Sequence, residues 1–92
     1  MEKKEFISRI TNLGEVESVT GVNYRIVSIN DKYILGTRLS TLKEFKIETD
    51  KLYRAYCDIS NGVIQMTTTA LRAYVNRTQS PALAIIKSLR KQ

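Results

Sequence analysis

The stretch YRIVSINDKYILGTRL, residues 24–39, predicts an antiparallel β-hairpin, and with it a fold that contains a β-sheet. Its apolar side chains are mostly β-branched or aromatic and suit a pleated sheet, while the Asn30-Asp31 pair interrupts them with residues typical of turns. A two-residue turn at this pair brings four apolar side chains into two facing pairs: Ile26 with Leu35, and Val27 with Ile34. A three-residue turn would move the pairs by one position and exchange the faces on one strand.

The two-residue turn also predicts how side chains divide between the two faces of the hairpin. Tyr24 and Tyr33 share one face, each face carries apolar residues, and Gly36 is a candidate β-bulge. Helices packed on one side of a sheet cannot cover both faces. A surplus apolar face therefore indicates a protein-interaction or dimerisation module, in which a second copy or another protein covers it.

Residues on either side of the hairpin extend it into a sheet. Residues 42–48 alternate, with Phe45 and Ile47 on one side and charged residues on the other, which predicts a strand with one solvated face. The competing interpretation is a helix that begins at Thr41, because Thr41 and Glu44 match a capping box. Together with the valines of residues 15–22, the pattern predicts a small, mainly antiparallel sheet of three or four strands.

Helices are predicted before and after the strands. Residues 2–13 carry one apolar face at helical spacing, and Gly14 follows as a stop signal. Three short helices follow the strands: one capped by Thr49 or Asp50 and ending near Asp58, one from Thr67 or Thr68 to Val75, and one that begins at Ser80-Pro81 and runs to about Lys91. The order predicts an α+β fold with helices on one face of an antiparallel sheet.

Length and composition bound the class of protein. The 92 residues predict one domain covering residues 1–92, with 42% hydrophobic and 26% charged residues, as is ordinary for a folded chain. The single cysteine, Cys57, excludes an internal disulfide and favours a cytoplasmic protein that folds on its core alone. The charged N-terminus does not resemble a signal peptide, and no segment is apolar enough to span a membrane.

The absence of histidine excludes several kinds of metal site and catalytic site. Without histidine and with one cysteine, the usual ligands of zinc, copper and haem are missing, so we expect no metal and no cofactor. Ser–His and Cys–His nucleophiles are excluded. The sequence therefore predicts a protein that is not an enzyme.

The distribution of charge is the main functional lead. The net charge is +6, and residues 59–92 contain five basic side chains and no acidic one. Unopposed cations displace counterions from a polyanion, so this segment predicts sequence-independent binding to the phosphates of DNA or RNA. The candidate contact residues are Arg72, Arg77, Gln79, Ser80, Lys87, Arg90 and Lys91. The alternative explanation is a solvated helix face. The helix dipole stabilises cations near the C-terminus of a helix, and such cations also keep a small protein soluble.

A sequence-reading version of this hypothesis treats residues 67–91 as a helix-turn-helix. In that motif the first residues of the second helix contact base edges. Here that position holds Pro81, Ala82, Leu83 and Ala84, none of which reads a base by hydrogen bonding. Contact with the phosphate backbone is therefore favoured over sequence reading.

A Mg²⁺-dependent nuclease is the remaining alternative. Asp31, Glu44 and Lys46 resemble the Asp…Glu-x-Lys signature of restriction-type nucleases, in which two carboxylates hold the metal and the lysine positions water. Against this, Asp31 falls in a predicted turn and the usual preceding proline is absent. Glu44 and Lys46 also fit the solvated face of a strand.

Overall fold

The computed structural model describes residues 1–91 and contains an N-terminal helix, four strands and three further helices. The elements in chain order are α1 (Lys3–Leu13), β1 (Glu15–Glu17), β2 (Asn23–Ile29), β3 (Tyr33–Arg38), β4 (Lys43–Glu48), α2 (Thr49–Ser60), α3 (Thr68–Leu71) and α4 (Gln79–Arg90). The strands form one antiparallel sheet in the order β1-β2-β3-β4. The predicted α+β class is confirmed, and residues 43–48 form a strand rather than a helix.

One face of the sheet carries the core, and the other face is open. The inner face buries one large side chain from each strand in turn: Val16, Tyr24, Ile34 and Ile47. These side chains join a single cluster with buried residues of all four helices. On the outer face, Val27 and Leu35 remain exposed at 63% and 40% of their surface. A small apolar patch therefore stays uncovered on the sheet.

The first helix packs its apolar stripe onto the core as predicted. Phe6 and Ile10 are fully buried, and the Phe6 ring lies 5.2 Å from the ring of Tyr53 and 5.4 Å from that of Tyr56. Gly14 ends the helix with a φ of 68°, a conformation that costs glycine little because it has no Cβ. The chain then enters β1 directly.

The hairpin register differs from the predicted one. The observed partners are Ile29 with Ile34, Ser28 with Leu35, and Ile26 with Gly36. The predicted pairs Ile26–Leu35 and Val27–Ile34 are therefore wrong. Two causes combine: the turn lies one residue further along the chain, and Val27 is an extra residue, a β-bulge opposite β3. The bulge exchanges faces beyond it, so Tyr24 is buried while Tyr33 is exposed on the outer face.

Side-chain hydrogen bonds explain the position of the turn. The Asn30 side-chain oxygen accepts hydrogen bonds from the backbone N–H groups of Lys32 and Tyr33, at 2.8 and 2.9 Å. Because the Asn30 side chain forms these bonds, Asp31 and Lys32 form the tip of the hairpin, rather than Asn30 and Asp31. Thr49, fully buried, then donates its hydroxyl to the Asn30 carbonyl oxygen at 2.8 Å and fixes the turn against α2.

The helices after the sheet depart from their predicted bounds. The α3 helix starts where expected, because Thr67 accepts a hydrogen bond from the Ala70 N–H at 3.1 Å. It ends at Leu71 instead of Val75, since the chain turns repeatedly to bring Val75 into the core. A four-residue segment followed by turns is not the first helix of a helix-turn-helix, so that version of the binding hypothesis is wrong.

The last helix is the most buried element of the fold. Every side chain of residues 81–86 is buried, so the residues that would have to read bases lie inside the protein. Ser80 does not cap the helix as predicted; its hydroxyl shares a 2.9 Å hydrogen bond with the Tyr24 hydroxyl, and α4 begins at Gln79. Pro81 still lies in the first turn, where backbone N–H groups have no partner within the helix. Its missing N–H therefore costs no helical hydrogen bond. Within residues 1–91 no helix is both long and apolar enough to cross a membrane.

Candidate nucleic-acid interface

The surface beside the start of α4 collects four of the seven predicted contact residues. Arg72, Arg77, Gln79 and Ser80 line one open depression of about 410 Å³ together with threonines of α3. Arg72 follows α3 directly, and Arg77 lies in the turns that lead into α4. Both arginines therefore line the same depression although they lie five positions apart in the chain.

The backbone at Arg77 is part of this geometry. Its φ is 71°, a left-handed conformation that is uncommon for a residue with a Cβ. It lies in the turns that connect α3 to α4. These turns bring Arg77 to the same depression as Arg72.

A second depression continues from the first along α4. It is narrower, about 80 Å³, and shares Thr68 and Ser80 with the first depression. Ser18 and Thr20, from the connection between β1 and β2, form its opposite wall. The polar part of its lining consists of hydroxyl groups, which can donate hydrogen bonds to phosphate oxygens. Most of the lining is apolar and includes Val19, Leu83 and Ala84.

A third depression holds two more predicted residues. Lys87 and Lys91 line a space of about 290 Å³ with Ser18, which it shares with the second depression. Glu17, an acidic residue, also lines this space. The positive charge at this end is therefore partly opposed.

The three depressions form one continuous surface, which we call the basic track. It runs beside α4 from the Arg72 and Arg77 end, over the hydroxyl-lined middle, to the Lys87 and Lys91 end. With a helical rise of about 1.5 Å per residue, the span from Ser80 to Lys91 is about 16 Å. The track places two cations at each end and hydroxyl groups between them.

The cations of the basic track are not neutralised by direct ion pairs. The ion pairs within residues 1–91 join Lys3 to Asp50, Arg25 to Glu15 and Lys51 to Glu48. None of them involves a basic residue of the track. All three lie in the first 58 residues, where acidic and basic side chains nearly balance.

Not every predicted residue reaches the track, and several lining residues were missed. Arg90 is exposed on α4 but lines none of the three depressions. The missed residues are hydroxyl-bearing or apolar side chains and one acid: Glu17, Ser18, Val19, Thr20, Thr68, Thr69, Leu83, Ala84 and Ser88. The threonine run at residues 67–69 was a usable signal, whereas nothing in the sequence links residues 18–20 to α4.

The tyrosines lie away from the basic track or are already engaged. Tyr24 is buried and its hydroxyl bonds Ser80. Tyr74 donates its hydroxyl to a carboxylate oxygen of Asp58, and this bond, together with partial burial, raises the pKa of Tyr74 above its ordinary value. Since no tyrosine lines the three depressions, the track lacks an aromatic platform for bases.

The residues of the nuclease alternative are not brought together. Asp31 lies at the tip of the β2–β3 turn, next to the end of β4 marked by Glu48. Glu44 is four residues earlier on β4, about 13 Å away at the rise of an extended strand. Lys46 lies over the ring of Tyr33, 4.3 Å from its centre. Within the described residues, no group of three His, Cys, Asp or Glu side chains is placed to hold a metal ion.

Comparison with protein-family models, with curated proteins and with solved structures finds no match for this chain.

Proposed function

We propose that the protein binds nucleic acid through sequence-independent contacts between the basic track and the phosphate backbone. The observation that carries the proposal is the convergence of Arg72, Arg77, Lys87 and Lys91 on one continuous surface, with no direct ion pair among the described residues. Cations without carboxylate partners keep their full charge for a phosphate. We place this activity in the cytoplasm, because a single cysteine suits a reducing compartment.

The dimensions of the track support a duplex as the ligand. One strand of B-DNA carries a phosphate about every 3.4 Å along the axis, so a span of about 16 Å faces roughly four to five phosphates. The two pairs of cations would contact the ends of this run, and the serine and threonine hydroxyls its middle. The lack of aromatic side chains on the track disfavours a single strand, whose splayed bases need stacking partners.

The buried start of α4 supports the sequence-independent part of the proposal. Side chains that read base edges must project into a groove, and residues 81–84 are buried, apolar side chains. Gln79 is the one amide side chain on the track. Phosphate contacts therefore supply most of the affinity, with little discrimination among sequences.

The first test is the salt dependence of binding to a random-sequence DNA duplex, followed by fluorescence anisotropy. If each of the four cations neutralises one phosphate, the plot of log K against log salt concentration has a slope of about −3.6. Changing Arg72→Gln and Arg77→Gln together should make this slope shallower by about 1.8. Changing Lys87→Gln and Lys91→Gln together should also make the slope shallower, but by less than 1.8, because Glu17 lines the same depression as those lysines.

The matched control changes Arg38→Gln and Lys43→Gln, which lie at the ends of β3 and β4. This variant loses the same two positive charges from a site outside the basic track, so its slope should equal that of the unchanged protein. No binding to duplex DNA or RNA at low salt would contradict the proposal. A control variant that loses as much slope as the track variants would show that only net charge matters.

A further inference from the structure

Among the described residues, β4 forms the longer of the two unpaired edges of the sheet. The sheet order ends with β4, which has six residues, whereas the opposite edge is the three-residue strand β1. An edge strand presents backbone N–H and C=O groups that can pair with another strand. Lys43, Glu44 and Lys46 are exposed along this edge.

The hydrogen-bond pattern identifies which residues of β4 face outward. The Thr49 N–H donates to the Lys32 carbonyl oxygen at 2.9 Å, in register with the β3–β4 ladder. Backbone groups alternate in direction along an antiparallel strand, so Lys43, Phe45 and Ile47 bond to β3. The groups directed to the free edge are those of Glu44, Lys46 and Glu48.

The side chains of these three residues are charged, and their order restricts how a second β4 strand can pair with the first. Centring an antiparallel pair on Phe45 sets Glu44 opposite Lys46 of the second copy, twice, with matching backbone groups. Centring the pair on Glu44 or Lys46 sets like charges opposite each other. Centring it on Ile47 sets Lys46 opposite Glu48, but α2 begins at Thr49, so only three residues of each copy pair instead of five.

The structure limits which residues of β4 can pair with a second copy. Leu42 precedes β4 and has a left-handed φ of 58°, so it does not extend the strand. At the other end α2 begins at Thr49, and Ile47 and Glu48 line a depression of about 360 Å³ together with residues of the 74–78 segment. The pairing therefore spans residues 43–47 of each copy.

We propose that two copies of the chain associate through their β4 edges, with Phe45 on the two-fold axis and Glu44 paired with Lys46 of the second copy. The two four-stranded sheets then form one continuous sheet. The two Phe45 residues then face each other across the axis on the inner face, and each ring packs over Gly36 and against Tyr24 of its own copy. The association can be tested separately from nucleic-acid binding, because no residue of β4 lines the basic track.

The test is a charge swap read out by sedimentation velocity from low to high micromolar protein, with circular dichroism to verify folding. Glu44→Lys places two lysines opposite each other at both pairs, and Lys46→Glu does the same with glutamates. Each single change should weaken association on the order of tenfold or more. The double variant Glu44→Lys with Lys46→Glu restores both opposite-charge pairs, so it should recover the association of the unchanged protein.

The matched control is Glu48→Lys, which makes the same charge change on the same strand and face but outside the paired charges. It should retain the association. The proposal is overturned if the unchanged protein stays monomeric at every concentration, or if the charge swap fails to restore what each single change removes. It is also overturned if Leu35→Asp on the open sheet face abolishes association while Glu44→Lys does not, because the outer face would then be the interface.

Discussion

At the scale of the residue, Gly36 shows how one position constrains two strands. It pairs with Phe45 on β4 and with Ile26 on β2, and the Phe45 ring lies directly over it. A Cβ at this position would overlap that ring and would lie 2.6 Å from the Arg25 carbonyl oxygen. The glycine is therefore required for close approach rather than for an unusual backbone angle.

We predict that Gly36→Ala lowers the free energy of unfolding by about 2 kcal/mol, because an overpacked core must move neighbouring atoms. Urea unfolding at low protein concentration measures the change. Combining it with Phe45→Leu should cost less than the sum of the two single changes, since the smaller side chain leaves room for the methyl group. Thr37→Ala, the next residue on the same strand, is the control and should cost much less. An equal loss for both alanine variants would contradict this role of Gly36.

At the scale of the element, local signals predicted most boundaries, while interactions between elements decided the rest. Gly14 and Thr67 act as expected because their effects are confined to one helix end. The hairpin turn moved by one residue because Asn30 hydrogen-bonds forward along the chain, and the bulge at Val27 has no local sequence signature. The shortening of α3 follows from burial of Val75, which depends on the whole core.

One contact between elements gives a pH-dependent prediction. The hydroxyl of Tyr74 donates to Asp58 on α2 and fixes the segment after α3. Because this bond raises the pKa of Tyr74 in the folded state, its stabilisation is present below the ordinary tyrosine pKa of about 10 and is lost as pH rises through the higher folded value. Tyr74→Phe should therefore lower the urea midpoint at neutral pH, and the difference from the unchanged protein should shrink in strong alkali.

The Asp58→Asn variant is the control for this contact. An asparagine oxygen still accepts the hydroxyl but carries no charge, so the alkaline loss attributed to Tyr74 should be smaller in that background. A difference between the unchanged protein and Tyr74→Phe that persists undiminished in strong alkali would contradict the role assigned to the Tyr74–Asp58 bond.

At the scale of the whole molecule, the uneven charge distribution was visible in the sequence, but its convergence was not. Residues 59–92 carry five cations and no acid, and folding brings four of them to the basic track. Arg77 lines the same depression as Arg72 only because of the turns that connect α3 to α4, and Ser18 reaches α4 only through packing of β1. These placements depend on tertiary structure, so residue spacing alone could not predict the hydroxyl-lined middle of the track or exclude Arg90.

The most direct test of the proposed phosphate-binding surface is a titration of ¹⁵N-labelled protein with a short DNA duplex at low salt, followed by amide chemical shifts. We predict the largest shifts in residues 17–20, 68–72, 77–80 and 87–91, which line or flank the basic track, and little change on the outer face of the sheet. Shifts concentrated around Val27, Leu35 and Lys46, or no shifts at all, would contradict it.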